Sequence, residues 1–431
     1  MIWLYVLNAV LALFALLFAA IGLLYITRGT PIRKIRELED DGSFPSVADS
    51  SFRDTIQCHV NTSLVDGNRI EILTNGEQVY PRLFDDLRAA ESLITLFVYW
   101  YKPGELADQV KDILIERARA GVRVLFLRDA FGSHGISDEY LDEMRRAGVE
   151  VAVFRPLKWN TVYKFQQRSH MRAVVVDGCI GFTGGFAIED RWIGDGRHTD
   201  QWRDTSVRVE GPAVLQLQAA FAADWAEATG ELLVGNDVFP RSTRDERGSH
   251  TAGLFYSSPS MGSTDAERFF ALSICGACKF LYITNAYFIP DDDFRSFLCK
   301  AVERGADVRI LTPGENTDKK STWYAARTHY EELLGGGVRV YEYRPTMVHA
   351  KTLVADDVWA AVGSMNFDNR SMALNDEVVL MMHDEELGGQ LKSAFLEDIE
   401  YADELDLESF RTRGAWERAK ERAAVVWSRV L

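Results

Sequence analysis

His349-Ala350-Lys351-Thr352-Leu353-Val354-Ala355-Asp356, with Gly363-Ser364-Met365-Asn366-Phe367-Asp368 close behind it, decides how the chain is read. Ala350 to Ala355 is short and mostly apolar, the pattern of a buried strand. Side chains alternate faces along a strand, so His349 and Lys351 point the same way. An imidazole, able to attack or protonate near neutral pH, thus sits beside an ammonium, a compact charge suited to a phosphate oxygen. Asn366 follows a Gly-Ser turn and brings an amide donor. Such a set suits an anionic phosphorus centre. Alone, His-x-Lys is a weak signal, because most such histidines are hydrogen-bonded structural groups.

A second copy changes its weight. His170-Met171-Arg172-Ala173-Val174-Val175-Val176-Asp177 precedes the small-residue stretch Gly178 to Gly185 and repeats the layout. Both copies read His-x-basic-x-x-x-x-Asp on an apolar run, and the two histidines lie 179 positions apart. Two histidines in corresponding halves supply a nucleophile and an acid for the leaving oxygen, as covalent phosphodiester chemistry requires.

These stretches resemble the phospholipase D superfamily with its paired motifs, and within it the bacterial cardiolipin synthases. The resemblance runs from about Asp66 to the C-terminus. Its most specific part is Gly363 to Ser371 with Leu374-Asn375-Asp376-Glu377. The first copy departs from the pattern. Arg172 stands where Lys is usual, and Gly185 and Ala187 stand where many members have Ser (or Gly) and Asn. Those changes bear on the phosphate contacts of the first half, not on its histidine.

The resemblance implies a two-step displacement at phosphorus, with His170 as nucleophile forming a phosphohistidine and His349 as general acid and base. It implies that Lys351 and Arg172 bind the nonbridging oxygens and that Asn366 adds an amide. Ser364 either touches the phosphate or shapes the turn. An acid downstream orients each imidazole: Glu377 in the second half, and Asp204 of Trp202-Arg203-Asp204 in the first. Asp177 and Asp356 complete the catalytic motifs, as supports of the site or as strand-end turn formers. No metal and no cofactor is implied. The implied reaction is phosphatidyl transfer from one phosphatidylglycerol to another with release of glycerol. Hydrolysis to phosphatidic acid uses the same residues and remains an alternative, as do a membrane-tethered nuclease and a non-catalytic lipid-binding relative.

Bulk properties narrow these classes. The 431 residues suffice for two domains with ample cores. The net charge of −16 disfavours a general nucleic-acid binder, whose affinity rests on neutralising phosphates. Five cysteines, an odd number, do not form a disulfide framework. Cys275-Gly276-Ala277-Cys278 has no second pair or nearby histidines, so it reads as packing. Oligomeric state is not legible.

The pattern of elements predicts an α/β fold: two duplicated phospholipase D-like α/β sandwich domains packed face to face, behind an N-terminal transmembrane helix. Residues 1–27 form the expected anchor. Ile2 to Ile26 is apolar almost throughout, and a helix of that length spans about 37 Å, more than the ~30 Å of a hydrocarbon core. Arg28, Arg33, Lys34 and Arg36 follow it. The positive-inside rule then puts a single pass in the inner membrane with the catalytic domains in the cytoplasm. Residues 28–60 read as a linker, 61–240 as the first domain, 254–405 as the second and 406–431 as a helical tail, with Arg241 to Gly253 as the joint. Arg69 to Leu73 alternates as a strand, and Asn75-Gly76 signals a hairpin turn. Gly335-Gly336-Gly337 reads as a helix stop, and Asp291-Asp292-Asp293 as a helix start rather than a metal site.

Overall fold

The computed structural model describes residues 2–26, 32–36, 44–156, 167–259 and 263–428. Two helices, α1 (Ile2–Ile26) and α2 (Ser50–His59), precede the sheet. The first copy then runs β1 (Val65–Thr74), α3 (Asn75–Ala89), β2 (Leu93–Val98), α4 (Glu105–Arg119), β3 (Arg123–Asp129), α5 (Asp138–Arg146) and β4 (Glu150–Phe154). It closes with β5 (Arg168–Ser169), β6 (Arg172–Val176), β7 (Ile180–Gly184), β8 (Thr205–Glu210) and α6 (Val214–Thr229). The second copy runs β9 (His250–Ser257), α7 (Asp265–Gly276), β10 (Phe280–Asn285), α8 (Asp292–Glu303), β11 (Asp307–Pro313), α9 (Lys320–Gly335) and β12 (Arg339–Tyr343). It ends with β13 (Lys351–Ala355), β14 (Trp359–Gly363), α10 (Asn369–Leu374), β15 (Asn375–His383) and α11 (Glu385–Glu400), then β16 (Ala402–Glu404), α12 (Leu407–Thr412) and α13 (Ala415–Ser428).

Duplication is written in the sheet. The first copy has the strand order β1-β8-β7-β6-β2-β3-β4, and the second repeats it as β9-β15-β14-β13-β10-β11-β12. In each, three parallel strands are joined by crossover helices. Helices cover such strands on both sides, and Leu93 to Val98 is accordingly buried at every position. The expected face-to-face packing is corrected in one respect: the copies join edge to edge, β1 pairing antiparallel with β9, so that the strands belong to a single sheet. The motif strands β6 and β13 occupy equivalent interior places beside β2 and β10. His170 and His349 therefore emerge at the starts of equivalent strands.

Three further expectations are revised. Asn75-Gly76 does not turn a hairpin; it opens α3, with Asn75 at φ +61°. The following residues carry a helical apolar face (Val79, Leu83 and Leu87 are buried), so there is no strand to fold back. The expected linker 28–60 contains α2, whose Phe52 and Ile56 are fully buried in the core of the second copy. Burying that pair contributes roughly 3–6 kcal/mol toward the ordering of the segment. The expected joint Arg241 to Gly253 already contains the start of β9.

The transmembrane anchor is not supported by the described residues: no helix among them is long and apolar enough to cross a membrane. α1 itself runs over the 25 residues Ile2–Ile26. Its large apolar side chains, including Trp3, Leu13, Leu16 and Phe18, are exposed.

Candidate active site

Each motif enters its strand by docking on the other copy. Short β5, just ahead of His170, pairs in parallel with the start of β15, Arg168 against Asn375 and Ser169 against Asp376. The His170 N–H donates to the Asp376 carbonyl at 2.8 Å. On the other side Val348 bridges Arg203, and the His349 N–H donates to the Arg203 carbonyl at 2.7 Å. In both places the residue after the docking carbonyl is an acid. His170 Nδ1 lies 3.1 Å from both carboxylate oxygens of Glu377, and His349 Nδ1 lies 2.9 Å from Asp204 Oδ2. The imidazole–acid pairs are thus exchanged between halves, correcting the expectation that each acid serves its own copy. Neither copy contains a complete half-site.

The acids are held differently. Asp204 accepts from Trp192 Nε1 at 2.8 Å and from the Thr205 N–H at 2.7 Å. Burial alone would raise its pKa, but the hydrogen bond with His349, with Lys351 and Trp192 adding to it, outweighs that and holds it below the usual carboxylate range. Glu377 accepts from the hydroxyls of Ser364 and Ser371. Here burial prevails and pushes the carboxyl up to about 7. Both imidazoles are depressed, first by burial: His170 well below its ordinary value with Arg172 and Lys351 adding to the effect, and His349 to about 3 with Lys351 next. Burial also brings Lys351 down to about 7. The site therefore favours neutral imidazoles; Nδ1 of each faces its acid, and Lys351 Nζ lies 2.9 Å from both ring nitrogens of His349.

Around both histidines lies a cavity of about 420 Å³. Its walls are unequal. The first copy contributes mostly aromatic side chains: Tyr99, Trp100, Phe131, Trp192 and Trp202. The second contributes mostly polar ones, among them Asp318, Lys319, Thr322, Asn366, Arg370 and Asn375. Trp192 packs edge-on to His349 with ring centres 5.1 Å apart, and Tyr99 packs against His170 at 5.2 Å.

Comparison with known proteins agrees with this geometry. A family model described as cardiolipin synthase, PLD-like domain, matches residues 273–399. A cardiolipin synthase of Geobacillus kaustophilus is 36% identical over 343 residues, covering 79% of this chain and 68% of the relative. One of Alkalihalophilus pseudofirmus is 35% identical over 362 residues, covering 84% and 72%. The chain belongs to the cardiolipin synthase family. A phosphatidylserine synthase structure from Haemophilus influenzae shares the fold at TM-score 0.69 and 13% identity, over 89% of this chain and all of that one.

Against this family background, the structure sorts the residues singled out from sequence. It gathers His170, Arg172, His349, Lys351, Asn366, Asp204 and Glu377 at one place. Arg172 and Lys351 are buried and each donates to the carbonyl of its own motif histidine. Arg172 Nε also donates to the Phe186 carbonyl at 3.0 Å. Ser364 is not a cavity residue: its hydroxyl donates to Glu377 and accepts the Val378 N–H at 3.1 Å. Asp177 and Asp356 lie at the far ends of their strands, outside the site. Asp356 accepts the N–H groups of Cys278, Lys279 and Phe280 at 2.8, 2.8 and 2.9 Å. Asp177 likewise accepts those of Glu91, Ser92 and Leu93. They tie the motif strand to the start of the neighbouring one.

Sequence reading missed Trp192, Ser371, Tyr99 and Asn75. Asn75 clamps the main chain of Asp204, donating its N–H to the Asp204 carbonyl and accepting the Asp204 N–H, both at 3.0 Å. The repeat itself carried a signal for two of them: Trp192 and Ser371 occupy corresponding positions in the two copies, 179 apart like the histidines, and both donate to the acid.

Proposed function

We propose that the protein is a phosphatidyltransferase that joins two phosphatidylglycerol molecules into cardiolipin and releases glycerol. The observation that carries this reading is the pair of buried imidazoles, each oriented by an acid of the other copy, opening on one shared cavity. Family membership gives the substrate class.

His170 Nε2 attacks the phosphorus of one phosphatidylglycerol. The bond to the glycerol oxygen breaks, and His349 gives its proton to that oxygen as glycerol leaves. A hydroxyl of the second phosphatidylglycerol then returns a proton to His349 and attacks the phosphohistidine, and the phosphorus–nitrogen bond breaks. His349 takes its first proton from solvent as substrate binds: burial and Lys351 depress its pKa, and the bound phosphodiester brings the opposing negative charge. Lys351, Arg172 and Asn366 stabilise charge on the nonbridging oxygens, with the Arg172 guanidinium, which also holds the Phe186 and His170 carbonyls, on the side where the first copy lacks an amide at Ala187.

A lipid substrate also gives α1 a use. Its exposed apolar side chains suit a bilayer, and the basic residues that follow it in sequence suit anionic headgroups. Both features support work at a membrane surface.

Lipid mass spectrometry of the full-length protein in phosphatidylglycerol vesicles tests the reading. Cardiolipin and glycerol, absent with His170→Ala and with His349→Ala, are expected. Phosphatidic acid as the main product would mean that water is the acceptor and that the protein is a phospholipase.

A further inference from the structure

Phosphatidyl transfer differs from hydrolysis in one demand on the site. The acceptor lipid carries its own phosphodiester, one glycerol length from the reacting phosphorus, so the cavity must hold two anions. The groups around the histidines serve one of them. The polar wall has a second set of donors, at the start of α9. This helix has 16 residues, and no side chain caps its N-terminus. The Thr322 and Trp323 N–H groups donate to the Lys319 carbonyl at 3.1 and 3.2 Å, and those of Lys320 and Ser321 ahead of them lie at the positive end of the helix dipole. Lys319 at the N-cap position and Thr322 in the first turn both line the cavity. Thr322 is only 5% exposed, and its buried hydroxyl has no hydrogen-bond partner among the described residues. A buried hydroxyl without a partner is unfavourable by about 1–3 kcal/mol, so it points to a ligand that accepts. Lys319 rests over the Tyr287 ring, 5.4 Å from its centre, while the Tyr287 hydroxyl engages the neighbouring Asp318. Lys320 is directed elsewhere, donating to the Glu315 carbonyl.

The first copy shows what the same place looks like without this role. Its equivalent crossover helix, α5, is capped by Ser137, whose hydroxyl accepts the Tyr140 N–H at 3.2 Å, and it opens with Asp138 and Glu139. That terminus is satisfied and acidic.

We propose that the N-terminus of α9, with Lys319 and Thr322, binds the phosphodiester of the acceptor phospholipid and so directs the intermediate to a lipid hydroxyl rather than to water. This rests on the phosphatidyltransferase reading above. The site sets acceptor choice and takes no part in the first displacement.

Two reactions of the full-length protein separate these steps. Cardiolipin formation needs an acceptor with a phosphate, whereas exchange of labelled glycerol into phosphatidylglycerol uses an acceptor without one. Lys319→Ala and Thr322→Val are each expected to lower cardiolipin formation about tenfold relative to glycerol exchange, the loss of one hydrogen bond to a charged group. Cardiolipin and exchange falling together, or neither falling, would overturn the assignment. Inorganic phosphate added to the exchange reaction separates lipid phosphate from a soluble anion. No effect on wild-type exchange supports the lipid; a change in the wild type that Lys319→Ala removes would make this a soluble-anion site and overturn the proposal. If the wild type exchanges glycerol but makes no cardiolipin, the transferase reading itself fails, whatever the variants do.

Discussion

The two half-sites hold their imidazoles with unlike carboxylates. Beside His349 the acid is Asp204, held by an indole and a backbone N–H. Beside His170 it is Glu377, one methylene longer, held by two serine hydroxyls. Each arrangement excludes the other's parts. A Cβ at Gly185 would meet Asp204 Oδ1 at 2.1 Å, whereas the corresponding Ser364 uses its hydroxyl to hold Glu377. The apparent defect at Gly185 is thus room for the acid. Duplication has kept which strand presents a histidine to which acid, and has let the residue types drift in compensating pairs. The electrostatic outcome also differs: Asp204 is held ionised, while Glu377 is pushed up to about 7.

The largest effects test whether both halves serve one reaction. His170→Ala and His349→Ala are each expected to lower kcat/KM by at least about 10⁴-fold, because groups acting as a unit fail together. Near wild-type turnover in either would break the pairing of the halves. Next come the acids. Asp204→Asn and Glu377→Gln are each expected to lower kcat/KM by about 10²- to 10⁴-fold, by analogy with loss of the orienting carboxylate in a catalytic triad.

Their pH profiles sharpen the comparison. A carboxyl raised to about 7 is protonated below that pH, so the wild-type rate should fall on the acid side as Glu377 loses its charge. Glu377→Gln should remove that contribution at a lower plateau. Asp204→Asn should keep it, since Asp204 ionises below the usual range. Equal profiles for the two variants would contradict the distinction between the half-sites.

Smaller effects follow from packing. Gly185→Ser should lower kcat by about tenfold to a hundredfold through crowding of Asp204, and Ser364→Ala by about tenfold through loss of a donor to Glu377. The smallest effect on chemistry is expected at the motif aspartates. Asp356→Ala should lower folding stability by about 2–4 kcal/mol in denaturant titration while the folded fraction keeps a kcat near wild type. A kcat collapse without lost stability would return Asp356 to the active site.

Sequence made the repeat legible because each strand is a short apolar run between clear stops. His349 and Lys351 share a face simply because strands alternate. It also located both acids. What it did not show is which histidine each acid faces: spacing along a chain carries no information about strands that meet across copies, and the β5–β15 clasp exists only in the assembled sheet. Asp177 and Asp356 looked catalytic because they end the motif, yet a strand of five residues carries its two ends apart, and their oxygens go to backbone N–H groups. Asn75-Gly76 carried a turn signal that the helical face after it overrides.

The most direct test of the central claim is to quench the enzyme during turnover on phosphatidylglycerol and map the phosphohistidine by mass spectrometry. The exchanged-pair account with His170 as nucleophile predicts the phosphatidyl group on His170 in the wild type, its accumulation in His349→Ala supplied with a substrate bearing a good leaving group, and its absence in His170→Ala. A phosphatidyl group on His349, or turnover of His170→Ala through an adduct elsewhere, would contradict it.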